Sequence, residues 1–395
     1  MKIIIAPNSF KGSLDAFQVA QSIQNGLLKS DLDADCHLFP IADGGDHTLE
    51  VFQNWFGGSI NRSEVVGPLG AKVGAEWALI EDGKTAVIEM AKATGISLVK
   101  KSMLNPLKAS SYGTGQLIKS AIESGAKKII LGLGGSATVD GGLGILQALG
   151  AKLLDSNGNL IGVNTNPVME IEHISLNNID PRTSEVEFLI LCDVENPLLG
   201  KDGAAHVFGP QKGADPKSVE KLEKSMKRFN TIIKKISGKD FSQTEGAGAA
   251  GGIAVSLKAF FNTTMVSGVD FLLEKMKFED AIEDADLLIT AEGKVDAQTL
   301  QGKGPFGVAS KAKNHGIPTL ILAGKADDID QLNHGFDAVF PITNGPMSLE
   351  KAMRSTAKDL EETARQIGNL LALKKIKGCS VQCSKFPVKH FSIKP

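Results

Sequence analysis

Short apolar runs alternate along this chain with longer stretches in which apolar residues recur every three or four positions. The short runs predict strands at residues 2–6, 36–41, 85–90, 129–132, 189–192, 286–290, 318–322 and 338–342. The periodic stretches predict amphipathic helices, the clearest at residues 17–27, 216–236, 306–314 and 349–371. Because strands and helices alternate, above all after residue 284, the pattern predicts an α/β fold with a parallel sheet.

Two of these helices carry apolar stripes that we assign to the core. In the first helix, Asp215 is the predicted cap and Pro216 occupies the first turn. Its stripe consists of Val219, Leu222, Met226, Phe229, Ile233 and Ile236. The stripe of the last helix consists of Leu349, Met353, Thr356, Leu360, Ala364, Ile367 and Leu371. Both stripes have the period of a helix with one buried face, so we expect both faces to pack inward.

The segment 129–142, with the sequence I-I-L-G-L-G-G-S-A-T-V-D-G-G, is a predicted strand that ends in a glycine turn. The backbone of such a turn can approach a ligand closely, and its N–H groups can hold an anion such as a phosphate. The candidates for this contact are Gly132, Gly134 and Gly135, and Ser136 and Thr138 add hydroxyl donors. Asp140 would repel the anion unless Mg²⁺ lay between them. The combination indicates a metal–nucleotide site, although glycine turns also occur in α/β folds without any ligand.

The same turn is open to a second interpretation as an NAD-binding turn. Gly132, Gly134 and Ala137 fit the dinucleotide fingerprint, and Asp155 follows at about the spacing of a ribose-binding carboxylate. Against this, a dinucleotide turn should open a firm helix, whereas the glycines from Gly141 onward would each cost roughly 1 kcal/mol relative to alanine. An NAD-dependent oxidoreductase is therefore the less favoured alternative.

Polar loops follow the other predicted strands, at the edge of the sheet where open α/β folds bind ligands. The candidates are Asn8, Ser9 and Lys11 after the first strand, Asp43 after the second, Asp193 after 189–192, and Glu292 and Asp296 after 286–290. Asp193 could accept Mg²⁺ or a substrate proton, or it could form the turn before Pro197. Lys11 could equally be a solvated loop lysine, and Asp46 is predicted to cap the following helix.

Three further glycine-containing segments lie between these loops. Residues 112–115, Y-G-T-G, precede a predicted helix that ends near Ser124. Residues 208–213, F-G-P-Q-K-G, contain Lys212. Residues 245–252 form either a close-packed helix entrance or another anion loop, and composition leaves both interpretations open.

Composition limits the classes of function. A formal net charge of −2 with two Trp and one Tyr provides neither a basic patch nor a stacking platform, so we expect no nucleic-acid partner. The apolar run at residues 3–6 is too short for a signal sequence, and no run approaches the ~18 residues of a membrane span, so we expect a cytoplasmic protein with no membrane partner. The four cysteines suit neither a disulfide framework nor a zinc site. Residues 374–395 carry six lysines and no acidic residue, and they predict a mobile basic tail.

Seven ordered motifs make the chain similar to the bacterial glycerate kinase family. The motifs are A-P-N-S-F-K-G-S at 6–13, A-D-G-G-D at 42–46, Y-G-T-G at 112–115, G-G-S-A-T-V-D-G-G at 134–142, C-D-V-E-N-P-L at 192–198, F-G-P-Q-K-G-A at 208–214 and E-G-K-V-D-A-Q-T at 292–299. The resemblance covers nearly residues 1–372 and implies phosphoryl transfer from ATP to D-glycerate with Mg²⁺, favouring 2-phosphoglycerate over 3-phosphoglycerate. No G-x-x-x-x-G-K-[ST] motif occurs, so glycine turns and loop lysines must hold the phosphates. A non-catalytic nucleotide-binding relative remains an alternative.

The resemblance and the loops together lead to a set of predicted roles. We predict that Lys11, Asp193 and Asp296 are catalytic, that Asn8, Ser9, Asp43 and Glu292 bind the substrate, that Gly134, Gly135, Ser136, Thr138 and Lys212 bind the nucleotide, and that Asp140 and Asp193 bind the metal. The chain departs from the family pattern at Asn8, where an aspartate is usual. If that aspartate serves as base or metal ligand, this enzyme must tolerate a neutral amide or use Asp43, Asp193 or Asp296 instead.

The family also implies two domains, and the strand pattern agrees. Residues 1–64 contain only two strand–helix units, which is too small a sheet to bury itself. Residues 282–373 supply the missing strands, so both chain ends are predicted to form one Rossmann-like parallel-sheet domain. Residues 65–281 are the predicted inserted mixed α/β domain.

Overall fold

The computed structural model describes residues 1–300 and 304–376, and thirteen strands and thirteen α-helices occur in this part of the chain. The strands are β1 (Lys2–Ile5), β2 (Asp35–Leu38), β3 (Ser59–Val66), β4 (Lys72–Ile80), β5 (Thr85–Glu89), β6 (Lys128–Gly132), β7 (Lys152–Leu154), β8 (His173–Ser175), β9 (Glu187–Leu191), β10 (Thr263–Val266), β11 (Leu287–Val295), β12 (Thr319–Ala326) and β13 (Ala338–Pro341). The helices are α1 (Ala16–Leu28), α2 (Thr48–Phe56), α3 (Met90–Thr94), α4 (Tyr112–Glu123), α5 (Leu143–Ala148), α6 (Ala204–Phe208), α7 (Pro216–Ser237), α8 (Ile253–Phe260), α9 (Gly268–Lys275), α10 (Phe278–Ile282), α11 (Pro305–Asn314), α12 (Ile329–Leu332) and α13 (Leu349–Ile376). The predicted α/β class is confirmed.

Both ends of the chain contribute to a five-stranded parallel sheet with the order β13-β12-β11-β1-β2. Its central strands β1 and β11 bury apolar residues on both faces, as expected for a parallel sheet that helices cover. Helices α1 and α13 pack together on one face, where Ile3, Ile23 and Leu360 share a core. Gly26 allows this close approach, because a Cβ there would overlap the backbone of Glu361.

The second main sheet is mixed, with the order β10-β9-β6-β5-β4-β3. Strands β3, β4 and β5 are antiparallel neighbours, whereas β5, β6, β9 and β10 run parallel. Helix α2 packs on this sheet, and its Leu49 and Phe52 belong to the same core as Ile80 and Val87. The predicted boundary at residue 64 would therefore cut β3, and the chain joins the second sheet before α2.

Some sequence predictions of local structure were wrong. The Y-G-T-G segment lies inside α4 rather than before it. Ile236, in the predicted core stripe of α7, is 42% exposed, and Leu349, in that of α13, is 77% exposed. Ile236 lies in the last turn of α7 and Leu349 in the first turn of α13. At these ends the apolar stripe extends beyond the part of the helix that packs against the core.

Helix α13 ends at Ile376, so residues 377–395, most of the predicted basic tail, lie outside the described residues. Within the described part of the chain, no helix combines the length and apolarity that crossing a membrane requires. The two cysteines in the described part of the chain, Cys36 and Cys192, are not joined in a disulfide.

Candidate active site

Two adjoining cavities lie where the carboxyl ends of strands from both main sheets meet. The first, here called the glycine-turn cavity, has a volume of about 300 Å³ and is lined by Gly134, Gly135, Ser136, Lys11, Gln211 and Lys212 among others. The second, here called the acidic cavity, has a volume of about 420 Å³ and is lined by Asn8, Glu292, Lys294, Asp296 and Thr299. Asp43 and Asp193 line both cavities. Volumes of this size suit small-molecule ligands.

The sequence-predicted loops therefore converge. Asn8 follows β1, Asp43 follows β2 and Asp193 follows β9, and Glu292 lies in the carboxyl-terminal half of β11 rather than in a loop. Of the predicted site residues, Ser9, Thr138 and Asp140 line neither of these two cavities. The Ser9 N–H instead donates to the Asn8 Oδ1 at 2.7 Å.

The glycine turn packs backbone to backbone against the loop at 42–46. The Gly134 N–H donates to the Gly44 carbonyl at 3.0 Å, and a Cβ on Gly134 would overlap Gly45. The Ala137 N–H likewise donates to the Thr94 carbonyl at 3.0 Å. The prediction that the turn offers a run of free N–H groups is therefore wrong for Gly134 and Ala137, whose N–H groups have backbone partners. Glycine at 134 is required by packing in any case.

Lys212 is a buried cation in the wall of the glycine-turn cavity. Its side chain donates to the Ser136 Oγ at 2.6 Å and to the Thr138 carbonyl at 2.7 Å, and the residue is only 2% exposed. Burial lowers the pKa of Lys212 to about 7, although the carboxylate of Asp140 acts in the opposite direction. A lysine held in this way can gain a full charge when an anion enters the cavity.

Asp140 does not fit the predicted role of metal ligand. Its carboxylate is fully buried and accepts hydrogen bonds from the Ser111 N–H and Oγ and from the Gly142 and Gly144 N–H groups. Burial raises its pKa against these hydrogen bonds, which favour the ionised form. Asp140 thus ties the turn to the first residues of α4 and α5. Thr138, also fully buried, contacts Lys212 only through its carbonyl.

Lys11 and Asp46 form an ion pair of 2.9 Å at the mouth of the glycine-turn cavity. Asp46 is therefore not the helix cap that its position predicts. The residue before α2 is His47, which has a left-handed φ of 70° and makes no side-chain cap. The ion pair is largely exposed, so water screens it and a ligand phosphate can compete for Lys11.

Glu292 is a carboxyl of the acidic cavity whose pKa is strongly raised. Burial, together with the charges of Asp43 and Asp296, raises its pKa to about 7. Asp43 accepts from the Gly45 N–H at 2.9 Å, and Asp296 pairs with Lys294 at 2.7 Å. With a pKa near 7, Glu292 can exchange a proton near neutral pH.

Sequence reasoning missed several residues of the glycine-turn cavity wall, among them Gln211 and Ala250. Gln211 lies beside Lys212 in a quoted motif, so the motif itself could have indicated it. Ala250 adopts a left-handed φ of 51°, and the glycines around it pack against the 138–139 backbone and Pro197. The 245–252 segment is therefore a close-packed helix entrance whose alanines face the cavity, and no sequence signal marks that strained conformation.

Comparison with known proteins agrees with this fold and site. Residues 3–372 match the Glycerate kinase family. A glycerate kinase of Bacillus subtilis is 43% identical over 95% of this chain and 99% of its own length, and a glycerate 2-kinase of Escherichia coli is 42% identical over 94% and 98%. A crystal structure from Salmonella typhimurium LT2, assigned to glycerate kinase 2, superposes with a TM-score of 0.81 at 40% identity and covers 95% of this chain and all of that one.

These relatives, which match nearly the whole chain, identify the protein as an enzyme with small-molecule substrates. The chain belongs to the glycerate kinase family. A kinase of this family uses ATP as its phosphoryl donor.

Replacing Gly135 by valine is expected to abolish measurable ATP binding in calorimetry. Gly135 has a φ of 71°, and its Cβ position lies 3.1 Å from the Ala91 Cβ and 3.2 Å from the Asp46 Oδ1, at the cavity wall. Gly238→Val is the matched control, since Gly238 has a φ of 74° and no atom within 4 Å of its Cβ position. Both variants should melt earlier, but only Gly135→Val should lose ATP. Equal ATP affinity in the two variants would remove this turn from the nucleotide site.

Proposed function

We propose that the protein transfers the γ-phosphoryl group of ATP to the 2-hydroxyl of D-glycerate, with the reacting groups meeting between its two cavities. The observation that carries this proposal is the shared wall of Asp43 and Asp193. On one side of it lie lysines and amide donors, which suit phosphates, and on the other lies Glu292, which can take a proton. Phosphoryl transfer needs both features side by side.

On the phosphate side, Gly135, Ser136, Lys11 and Lys212 are the proposed contacts. Amide and hydroxyl donors from the turn would orient the phosphates, while the lysines would stabilise the negative charge of the transferring group. Thr138 would act only through the Lys212 contact of its carbonyl.

On the acceptor side, we propose that Glu292 is the general base. The sequence had predicted it only as a substrate-binding residue. A base works best when its pKa lies near the operating pH, and burial together with two neighbouring carboxylates raises the pKa of Glu292 to about 7. Asn8, Asp43 and Asp296 would position the glycerate hydroxyls. Asn8 has a neutral amide, so it cannot itself be the base.

The donor set also suits Mg²⁺. Among the residues that the structure describes, no three His, Cys, Asp or Glu side chains converge into a preformed metal cage. A kinase magnesium needs none, because one or two carboxylates and the substrate phosphates usually hold it. Asp193, which lines both cavities, is the proposed protein ligand. The ion would neutralise charge on the transferring phosphates.

The two main sheets are proposed as the cores of two domains, with the substrates between them. The first crossing is then placed at residues 39–47, between β2 and α2, and the return crossing near the start of β11. Since the phosphoryl donor is ATP, we also propose that the enzyme works in the cytoplasm.

A product analysis tests the proposed reaction. Protein incubated with ATP, Mg²⁺ and D-glycerate should yield a monophosphate whose phosphorus couples to the C2 proton in ³¹P–¹H correlation NMR. Coupling to the C3 protons would instead identify the 3-hydroxyl as the acceptor. L-Glycerate serves as the control for stereochemistry. Stabilisation by ATP in a melting assay without any turnover would favour the non-catalytic alternative.

The NAD alternative finds no support in the structure. The glycine turn is not followed by a helix until Leu143, and Asp155 accepts from the Asn157 and Asn159 N–H groups of an exposed turn. Its carboxylate is thus engaged in local structure rather than in either cavity. NAD is accordingly expected to leave the melting temperature unchanged.

A further inference from the structure

Helix α2 begins without a cap of its own. Its first turn follows His47, which has a left-handed backbone and no side-chain hydrogen bond to the helix. The first N–H groups of a helix have no partner inside the helix, and they need an acceptor when they are buried. Leu49, in this first turn, is fully buried, so its N–H must be satisfied from elsewhere in the fold.

Glu89 supplies that acceptor from another element. Its Oε1 accepts from the Leu49 N–H at 2.6 Å, and the residue is 2% exposed. Glu89 is the last residue of β5 and pairs across the sheet with Gly132, the first glycine of the turn. One side chain therefore connects the strand beside the glycine turn with the start of α2.

The segment that this contact holds carries two site residues. Immediately before α2 come Asp43, which lines both cavities, and Asp46, which pairs with Lys11. The same loop packs against Gly134. A shift of the start of α2 would therefore move Asp43, which lines both cavities. It would also move Asp46, which pairs with Lys11 in the glycine-turn cavity.

Charged groups surround Glu89 unevenly. Glu50 on α2 and Asp46 in the preceding loop face it with negative charge, and Lys92 on α3 is the cation, engaged with Glu50 at 2.8 Å. Burial, followed by the charge of Glu50, raises the pKa of Glu89 to about 8, so its neutral form predominates at pH 7. The neutral form still accepts the Leu49 N–H, which means that an uncharged acceptor is sufficient here.

We propose that Glu89 is a positioning residue, which caps α2 from the neighbouring strand and thereby holds Asp43 and the Lys11–Asp46 pair at the two cavities. It touches no substrate. The inference rests on the proposed function of those cavities. It adds a residue that none of the seven motifs contains.

The test compares two substitutions of similar size. Glu89→Gln keeps an oxygen acceptor and should retain kcat/KM within threefold. Glu89→Met keeps the volume but removes the acceptor, and it should lower kcat/KM for glycerate by about tenfold or more, mainly through kcat, because small displacements of catalytic groups are costly. A loss of activity in the glutamine variant equal to that in the methionine variant would overturn the proposal.

Glu223→Met is the matched structural control. Glu223 is 3% exposed on α7, and it accepts from the Gly200 N–H at 3.0 Å away from both cavities. This variant should lower the melting temperature and leave kcat/KM unchanged. If Glu89→Met behaves like it, with unchanged kcat/KM, Glu89 is only a structural residue and the inference is wrong.

A third variant keeps the test decisive if Glu89→Met does not fold. Glu89→Asp retains the carboxyl group but shortens the side chain by one methylene, so it no longer reaches the Leu49 N–H. It should show the same loss of kcat, and unchanged kcat would overturn the inference. Turnover of glycerate by the wild-type enzyme separates a failure of the proposed function from a failure of the inference about Glu89. If the wild type does not turn over glycerate, the proposed function is wrong, whatever the role of Glu89.

Discussion

Replacing Lys212 by methionine is expected to lower kcat/KM for ATP by about 10²-fold or more, on the scale of removing one transition-state donor. Methionine fills the buried space but removes both hydrogen bonds to the turn and the charge available to the phosphates. The melting temperature should fall as well, because the Ser136 Oγ and the buried Thr138 carbonyl each lose a hydrogen-bond donor. Steady-state kinetics and thermal melting measure the two effects separately.

Lys212 also predicts a proton linkage. Burial lowers its pKa to about 7, so part of the population is neutral at that pH, and an anion in the cavity should raise the pKa again. ATP binding near pH 7 to 8 should therefore take up a fraction of a proton, and ATP affinity should weaken as the pH rises above 7. Calorimetry in two buffers of different ionisation enthalpy measures the uptake, which should disappear in Lys212→Met.

Lys217→Met provides the control for these experiments. Lys217 is an exposed residue of α7 near Lys212 in sequence. Its replacement should change neither kcat/KM nor the proton uptake. If Lys212→Met kept kcat/KM within fivefold of the wild type, Lys212 would be a structural residue of the turn and not a phosphate contact.

Replacing Glu292 by glutamine is expected to lower kcat by about 10²- to 10⁴-fold, the usual contribution of a general base. Glutamine has the same shape but cannot accept the proton of the glycerate hydroxyl. The pKa of Glu292 is raised to about 7, so the carboxyl is protonated below that pH and ionised above it. Wild-type kcat should therefore rise with pH through about 7, and the residual activity of Glu292→Gln should not follow that profile.

Asp296→Asn distinguishes the two candidate bases. The charge of Asp296 contributes to the raised pKa of Glu292, so removing that charge should move the rise of kcat to lower pH without abolishing activity. If Asp296→Asn instead abolished the profile and Glu292→Gln retained it, Asp296 would be the base, which would agree with the catalytic role predicted for it. Melting curves across the same pH range would exclude unfolding as the cause.

Much of the architecture follows from local sequence. Apolar runs and helical periods depend only on neighbouring residues, which is why the strands at both chain ends and the helix after Asp215 were predicted correctly. The convergence of Asn8, Asp43 and Glu292 follows from one further rule, since the carboxyl ends of parallel strands meet at one edge of a sheet. Asp193 follows a strand of the other main sheet, so its place beside them was decided by the tertiary structure.

The direction of individual side chains was decided by contacts between residues far apart in the chain. Asp140 turns inward because Ser111 and the start of α5 supply its donors, and the Gly134 N–H is unavailable because Gly44 packs against it. Glu89 reads as an ordinary strand residue until α2 is placed beside it. The sequence by itself thus determined the α/β class, the strands that carry the site and the family resemblance. Only the tertiary structure decided which polar groups form hydrogen bonds inside the fold and which face the cavities. Burial and hydrogen-bond partners depend on contacts between segments that are distant in sequence, and no local pattern specifies those contacts.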